Sequence, residues 1–391
     1  MTQRKTMIGD YGPWAAGLVG AGADRPGQLS FRNDCFTSLP AWRKKAMAKT
    51  LELLAQPAKP AGRLAVRVER KVCHDGLAFE ELSWQLPYGR RTRAVFIKPA
   101  DASGSRPARL PGVLALHDHG GNKFWGVDKI ARLPGQGRQH PMMRYHQSQY
   151  YGGGAWANEL ARRGYGVLVH DAFAFASRRV RCGDVTDAVA GGCIDPDPAS
   201  SRQIVAYNQW AGGHENLLAK SLFAAGTTWP GVFLYEDQRA LDYLAGRPDI
   251  DSRRLGCGGL SGGGLRTCLL AGLDHRIKAA VDVGFMTTWR DQVLDKCHTH
   301  TWMAFVPLLP NYLDWPEVLG LRVPLATLVL NDRADELYTL AEMKRADRIL
   351  ATVYAKARAA DRYRCSFYPG PHKFDRAMQA EAFAWFDRWL G

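Results

Sequence analysis

The sequence has no long run of apolar residues. A membrane-spanning helix needs about 18 or more in succession, whereas the apolar run at 113–116 ends directly in His117. Basic residues near the N-terminus are followed by Asp10 and Pro13, which interrupt any apolar stretch of the kind that a secretory signal requires. We therefore expect a cytoplasmic protein with no membrane partner.

Cysteine is scarce, with eight residues among 391. So few cysteines do not suggest a disulfide scaffold. Cys257 and Cys268 lie in apolar segments, while Cys182 and Cys193 lie in a polar one. We expect reduced thiols, and Cys182 with Cys193 is the one pair whose bonding needs a test.

Acidic residues are outnumbered, because 52 lysines and arginines face 38 aspartates and glutamates and leave a formal net charge of +14. Such a charge can attract nucleic acid or anionic small molecules. The basic groups at 43–45, 89–93 and 178–181 are short, however, and have no repeat of basic and aromatic residues. We interpret them as solvated surface, with no nucleic-acid partner.

The first hundred residues divide into a helical extension and a set of strands. Residues 1–60 contain one predicted helix, 39–54, because Trp42 and Leu54 belong to a set of apolar residues at helical spacing. From 63 to 99 the apolar residues follow a period of two, which predicts three antiparallel strands.

Beyond Pro111, short apolar strands alternate with helices, which predicts an α/β fold with a mostly parallel, doubly wound sheet. The predicted strands are 113–116, 166–170, 255–259, 279–283, 325–330 and 364–368, and the predicted helices are 155–163, 233–246, 263–273, 337–357 and 374–390. Two segments rich in Trp, Gly and Pro, at about 176–230 and 285–324, follow strand ends, where loops form ligand sites. We therefore expect one domain at 61–391 with two lid-like insertions.

The motif Gly259-Leu260-Ser261-Gly262-Gly263 stands between a predicted strand and a predicted helix. A nucleophile elbow places a serine on such a strained turn, with small residues two positions away so that the backbones can pass closely. A phosphate-binding loop is the alternative, but the run lacks the Gly-Lys-Ser/Thr ending and the GxGxxG spacing. Ser261 is therefore the predicted nucleophile, and no cofactor is expected.

A serine nucleophile needs a base and an orienting carboxylate, which follow in the order Ser, Asp/Glu, His in this architecture. His372 lies in a tight Pro-Gly-Pro-His loop before the last predicted helix, and we predict that it is the base. The carboxylate belongs to the run 331–336, where Asp335 competes with Asp332 and Glu336.

Acyl transfer also requires N–H donors for the negative oxygen that develops. One is expected from the residue after the nucleophile, Gly262, and the other from the loop 117–121, where we favour the backbone N–H of His119. We expect His117 to pack under this loop and Asp118 to bond nearby backbone. Because no third ligand is evident, we expect no metal there.

The two insertions contain further residues that could bind a metal ion or a substrate. One set of residues in the second insertion has side chains that can ligate a metal ion, but their close spacing in the sequence matches no known zinc-binding pattern. We interpret this set as a solvated face or as part of a lid. Its members are Asp291, Asp295, Cys297, His298 and His300. Five tryptophans either form the core of the insertions or offer ring faces to a substrate. They are Trp210, Trp229, Trp289, Trp302 and Trp315.

With these residues assembled, the chain resembles the α/β-hydrolase superfamily, and within it the dienelactone-hydrolase-like and acetyl-xylan-esterase-like bacterial hydrolases. The similarity rests on the runs 117–123, 259–263, 313–318 leading into 328–338, and 368–372. In such proteins the acid stretch usually reads Asn-Gly-x-x-Asp-x-Leu, which places the acid at Asp335 and puts Asp332 where the family has glycine. The resemblance implies the α/β-hydrolase fold and a triad of Ser261, Asp335 and His372.

The resemblance further implies a serine esterase that acts on a small-molecule carboxylic ester through an acyl-enzyme. Because the two insertions are expected to cover the pocket and their tryptophans offer ring faces, we expect a short acyl chain and sugar or aryl esters as substrates. A peptidase or amidase and a C–C bond hydrolase of the same fold are alternatives, and a non-catalytic binding module is a further one. The β-propeller of oligopeptidases would need several hundred residues, whereas about 110 precede the first core strand. A homo-oligomer stays open.

Overall fold

A single sheet organises the part of the chain that the computed structural model describes, namely residues 5–19, 25–58, 62–100, 109–135 and 137–391. Nine strands are found within these ranges. They are β1 (Val66–His74), β2 (Leu77–Trp84), β3 (Thr92–Pro99), β4 (Leu110–Leu116), β5 (Gly166–His170), β6 (Ile250–Leu260), β7 (Ile277–Val283), β8 (Ala326–Asp332) and β9 (Tyr363–Tyr368).

The strands lie in the order β1-β2-β3-β5-β4-β6-β7-β8-β9. The pairs from β1 to β5 are antiparallel. From β5 to β9 all pairs are parallel, so the carboxyl ends of β4, β6, β7 and β8 meet at one edge. The three antiparallel N-terminal strands and the mostly parallel sheet are as predicted.

Helices cover both faces of this sheet. They are α1 (Gly12–Leu18), α2 (Leu39–Leu54), α3 (Pro141–Tyr151), α4 (Trp156–Arg162), α5 (Asp187–Ala190), α6 (Ser201–Ala224), α7 (Trp229–Ala245), α8 (Gly262–Leu273), α9 (Trp289–Asp291), α10 (Trp315–Gly320), α11 (Leu340–Lys356) and α12 (Arg376–Leu390). The bounds of α2 and β5 are those predicted. Helix α12 begins two residues later than predicted because Asp375 caps it, accepting hydrogen bonds from the N–H groups of Ala377 and Met378.

The two larger hydrophobic clusters of the core lie on opposite sides of the sheet. Alternate residues of β4 show the division, because Leu114 and Leu116 belong to one cluster and Val113 and Ala115 to the other. A sheet with both faces buried needs strands that are apolar throughout, and this is the pattern that the sequence has after residue 111. The doubly wound prediction is therefore confirmed.

The segment before β1 packs onto this core. Trp42 and Leu54 of α2 are buried, and the carbonyl oxygen of Leu54 accepts a hydrogen bond from the hydroxyl of Thr228 at 2.7 Å. The division into an extension at 1–60 and a domain at 61–391 stays a prediction. Among the residues that the structure describes, no helix combines the length and apolarity needed to cross a bilayer.

One cysteine expectation is wrong. Cys182 and Cys193 are joined by a disulfide, with their Cα atoms 5.5 Å apart, so this pair is not reduced. The chain between them contains α5 and turns back on itself, which brings two cysteines of a polar segment together. Cys257 and Cys268 are free and buried, as their apolar surroundings predicted.

Candidate active site

Ser261 occupies the turn between β6 and α8, with φ at 60° and ψ at −115°, a conformation that is uncommon for a residue with a side chain. Its N–H donates to the carbonyl oxygen of Val283 at 2.8 Å, which anchors the turn to β7. A Cβ on Gly259 or Gly263 would lie 2.2 Å from the carbonyl oxygen of Leu116. Only glycine fits at both positions, as the elbow motif requires.

His372 and Asp335 form a close pair. The distance from Nδ1 of His372 to Oδ2 of Asp335 is 2.6 Å, and the other carboxylate oxygen accepts a hydrogen bond from the backbone N–H of Leu337 at 2.9 Å. A Cβ on Gly284 would lie 2.9 Å from Cε1 of the imidazole, so this glycine makes room for the ring. Burial opposes protonation of His372, but Asp335 and Asp332 outweigh it and raise its pKa above 6.5.

The other two candidates for the acid do not form this hydrogen bond with His372. Asp332 accepts a hydrogen bond from the backbone N–H of Lys373 at 3.0 Å, and burial raises its pKa to about 7. Glu336 is exposed. Of the three carboxylates, Asp335 is therefore the one placed to orient His372.

The two predicted oxyanion donors are adjacent. The backbone nitrogen of His119 lies 3.1 Å from the position that a Cβ would take on Gly262. The carbonyl oxygen of Asp118, in the same peptide group, accepts hydrogen bonds from Nζ of Lys129 at 2.8 Å and Nδ1 of His117 at 2.9 Å. In a trans peptide the N–H points opposite to the C=O, so these bonds turn the His119 N–H away from Lys129.

A buried polar cluster supports this loop, and one expectation about it is wrong. The carboxylate of Asp118 does not bond nearby backbone. It accepts a hydrogen bond from the hydroxyl of Tyr151 at 2.5 Å and pairs with His146 at 3.1 Å and Lys129 at 3.8 Å. Burial lowers the pKa of Lys129 to about 8. His117 is buried under the loop, as predicted.

Ser261, Gly262 and His372 border one cavity of about 290 Å³. Much of its wall comes from residues 299–304 of the second predicted insertion. The apolar and aromatic lining residues are Tyr150, Leu260, Leu265, Phe285, Met303, Ala304, Leu337 and Tyr338. None of the five tryptophans lines this cavity, and Trp229, Trp289 and Trp315 are buried, which agrees with the core interpretation.

The possible metal ligands of the second insertion do not come together in the fold. Asp291 accepts hydrogen bonds from the hydroxyls of Thr287 at 2.8 Å and Thr339 at 2.9 Å. The ring of His300 packs on that of Tyr338 with centroids 4.9 Å apart, and burial lowers the pKa of His300 to about 4. Within the described ranges, no three His, Cys, Asp or Glu side chains are grouped so that they could hold a metal ion.

Two residues near the site were not predicted from the sequence. The ring of Tyr150, on α3, meets that of His372 edge to face with centroids 6.3 Å apart. Glu215, on α6, contacts Nε2 of His119 at 2.7 Å. No local motif marks either residue, because helices distant in sequence bring them to the site.

Comparison with a curated protein supports a relationship along most of the chain. The Bacillus subtilis protein named "Putative hydrolase YtaP" is 27% identical over 315 residues, which cover 80% of this chain and 88% of that protein. No protein-family model matches the chain.

Two solved structures resemble this fold over nearly its whole length. A "putative acetyl xylan esterase" from Bacteroides fragilis has a TM-score of 0.65 at 15% identity, covering 93% of this chain and 83% of the other. A glucuronoyl esterase from Solibacter usitatus has a TM-score of 0.63 at 15% identity, covering 94% and 98%. These likenesses show the fold, a mixed α/β fold with a mostly parallel central sheet of the α/β-hydrolase class.

Proposed function

We propose that the protein is a serine esterase that hydrolyses carboxylic esters with short acyl groups. The observation that carries this proposal is the strained elbow at Ser261, which opens into the same cavity as His372, itself paired with Asp335. Two structural neighbours are named as esterases, and the proposal extends that chemistry to this chain.

In the proposed reaction, Oγ of Ser261 attacks the carbonyl carbon of the ester while Nε2 of His372 accepts its proton. Asp335 holds the imidazole through Nδ1 and stabilises the imidazolium. The N–H groups of His119 and Gly262 bind the tetrahedral oxyanion. Collapse breaks the ester C–O bond, the alcohol leaves with the proton from His372, and water then hydrolyses the acyl-enzyme by the same steps.

The size of the cavity is the basis for the short acyl group. About 290 Å³ lies just below the range of roughly 300–1,000 Å³ that ligand pockets span. Leu265, Phe285 and Met303 bound it with apolar side chains, which suit an alkyl group. We propose acetyl-sized acyl groups, with sugar and aryl esters as the substrate class.

A set of nitrophenyl esters tests the acyl preference. Wild-type kcat/KM should be higher for the acetate than for the octanoate. Met303→Ala widens the cavity and should raise the relative rate on octanoate several-fold, while Leu308→Ala, at an exposed position of the same insertion, should not. Equal hydrolysis of both esters by the wild type would contradict the short acyl group, and turnover of anilides without any ester turnover would favour the amidase alternative.

The cytoplasmic location is proposed from the sequence alone. The disulfide between Cys182 and Cys193 argues against it, because disulfides are rare in cytosolic proteins. Alkylation of free thiols in intact native cells, followed by mass spectrometry, shows whether these two cysteines are reduced, as in the cytoplasm, or joined by a disulfide. Two alkylated cysteines at these positions would support the cytoplasm, and an intact bond would overturn it.

A further inference from the structure

A buried glutamate of the first insertion contacts the loop that carries a proposed oxyanion donor. Glu215 lies 96 positions from His119, yet its Oε1 is 2.7 Å from Nε2 of that histidine. The same carboxylate forms an ion pair with Lys123. The side chains of Glu215 and Lys123 are only 6% and 3% exposed. The three residues therefore form one cluster, in which the carboxylate and the ammonium are buried and His119 also borders the cavity.

The hydrogen bonds fix where the protons lie. Nδ1 of His119 accepts a hydrogen bond from the backbone N–H of Gly121 at 3.0 Å, so the ring proton is on Nε2 and is donated to Glu215. Burial and the neighbouring charge of Lys123 lower the pKa of His119, which keeps the ring neutral. Burial opposes ionisation of Glu215, but Lys123 and His119 outweigh it and lower its pKa to about 2.

These contacts restrain the backbone as well as the ring. Nζ of Lys129 holds the carbonyl oxygen of His119 at 2.8 Å, and Glu215 holds the end of the side chain. The next two residues, Gly120 and Gly121, have φ of 51° and 63° and little intrinsic stiffness. Without Glu215, Nε2 of His119 loses its hydrogen bond, and the ring is held less firmly next to a flexible pair of glycines.

We propose that Glu215 is a positioning residue for the oxyanion hole, because it holds the His119 ring and so keeps the His119 N–H directed at the oxyanion. It does not touch the substrate and acts through His119. The proposal rests on the proposed function. It also gives the first insertion a role, since its helix α6 supplies this carboxylate to a loop at the carboxyl end of β4.

The test compares Glu215→Leu with Glu215→Gln. Leucine removes the acceptor, and kcat on nitrophenyl acetate should fall about 10- to 100-fold with KM nearly unchanged, because a misplaced oxyanion donor weakens only the transition state. Glutamine keeps an acceptor for His119 and should restore most of kcat. The midpoint of the pH profile should stay in place, since Glu215 does not contact His372.

Glu236→Leu is the matched control. Glu236 is also buried and paired, with Nη2 of Arg178 at 2.8 Å, but it does not contact His119. Its loss should lower Tm and leave kcat unchanged. If Glu215→Leu does not fold, His119→Phe removes the same hydrogen bond while the ion pair of Glu215 with Lys123 remains, and it should reduce kcat to a similar extent.

Labelling of Ser261 by a fluorophosphonate separates this proposal from the proposed function. Its rate also depends on the oxyanion hole and needs no ester turnover, so it should fall in Glu215→Leu as kcat does. The positioning role would be overturned if Glu215→Leu kept the labelling rate and kcat of the wild type. It would also be overturned if Glu215→Leu lost no more of either than Glu236→Leu does. A wild type that is not labelled at all would overturn the proposed function and this role with it.

Discussion

Replacing Asp335 with asparagine is the sharpest test of how the proposed base is oriented. In the structure, Oδ2 of Asp335 faces Nδ1 of His372 at 2.6 Å, and Oδ1 accepts the N–H of Leu337. An asparagine that keeps its oxygen on Leu337 must turn its NH₂ group towards Nδ1. The ring proton then moves to Nε2, where it blocks acceptance of the proton of Ser261.

The expected loss follows from this change of tautomer. In serine proteases, the equivalent substitution lowers kcat by roughly 10⁴ while the geometry is kept. At about 1.36 kcal/mol for each factor of ten, that is roughly 5.4 kcal/mol of transition-state stabilisation. We therefore expect Asp335→Asn to retain a Tm close to that of the wild type and to lose about four orders of magnitude in kcat on nitrophenyl acetate.

Asp332→Asn is the control, because Asp332 has a different partner. Its Oδ2 accepts the N–H of Lys373, which an amide oxygen can also do, and its pKa near 7 means that much of it is already neutral at neutral pH. Its kcat should fall by less than about tenfold. A larger loss in Asp332→Asn than in Asp335→Asn would refute the assignment and move the acid to Asp332.

Two further predictions follow from the same geometry. Because the pKa of His372 is raised and only the neutral ring accepts a proton, kcat/KM should fall with decreasing pH through a midpoint above 6.5, whereas a pH profile with its midpoint at or below 6.5 would contradict this. Gly259→Ala places a Cβ 2.2 Å from a carbonyl oxygen and should lower the free energy of unfolding in urea by at least about 1–3 kcal/mol. Gly212→Ala is the control, because Gly212 is exposed on α6 with open space around it, and this change should raise the free energy of unfolding by about 0.5–1 kcal/mol. Equal stability of the two variants would count against the close packing of the elbow.

The parallel part of the sheet was predictable because β4, β5, β7 and β8 are buried on both faces and therefore read as apolar runs. Helix α6 was not, although it has 24 residues. Gly212 and Gly213 lower its helix propensity, and Glu215 stands at a buried position where the pattern of Ile204 and Tyr207 would continue with an apolar residue. Tertiary contacts, not local preference, make this helix.

Some residues of the site were likewise predictable from the sequence and others were not. Ser261, Asp335 and His372 follow strand ends in an order that local motifs reveal, and the structure brings His372 and Asp335 together beside the cavity at Ser261. Tyr150 and Glu215 have no such signal, since each reaches the site from a helix whose position depends on the whole fold. The proposed preference for a short acyl group likewise depends on a cavity wall that the second insertion supplies.

The most direct test of the central claim is the identity of the residue that a fluorophosphonate modifies. Peptide mass spectrometry of the labelled wild type should place the adduct on Ser261, and Ser261→Ala should lose both the adduct and ester turnover, by at least about 10⁴-fold, while its Tm is kept. An adduct on another serine, or near-native kcat in Ser261→Ala, would contradict the account.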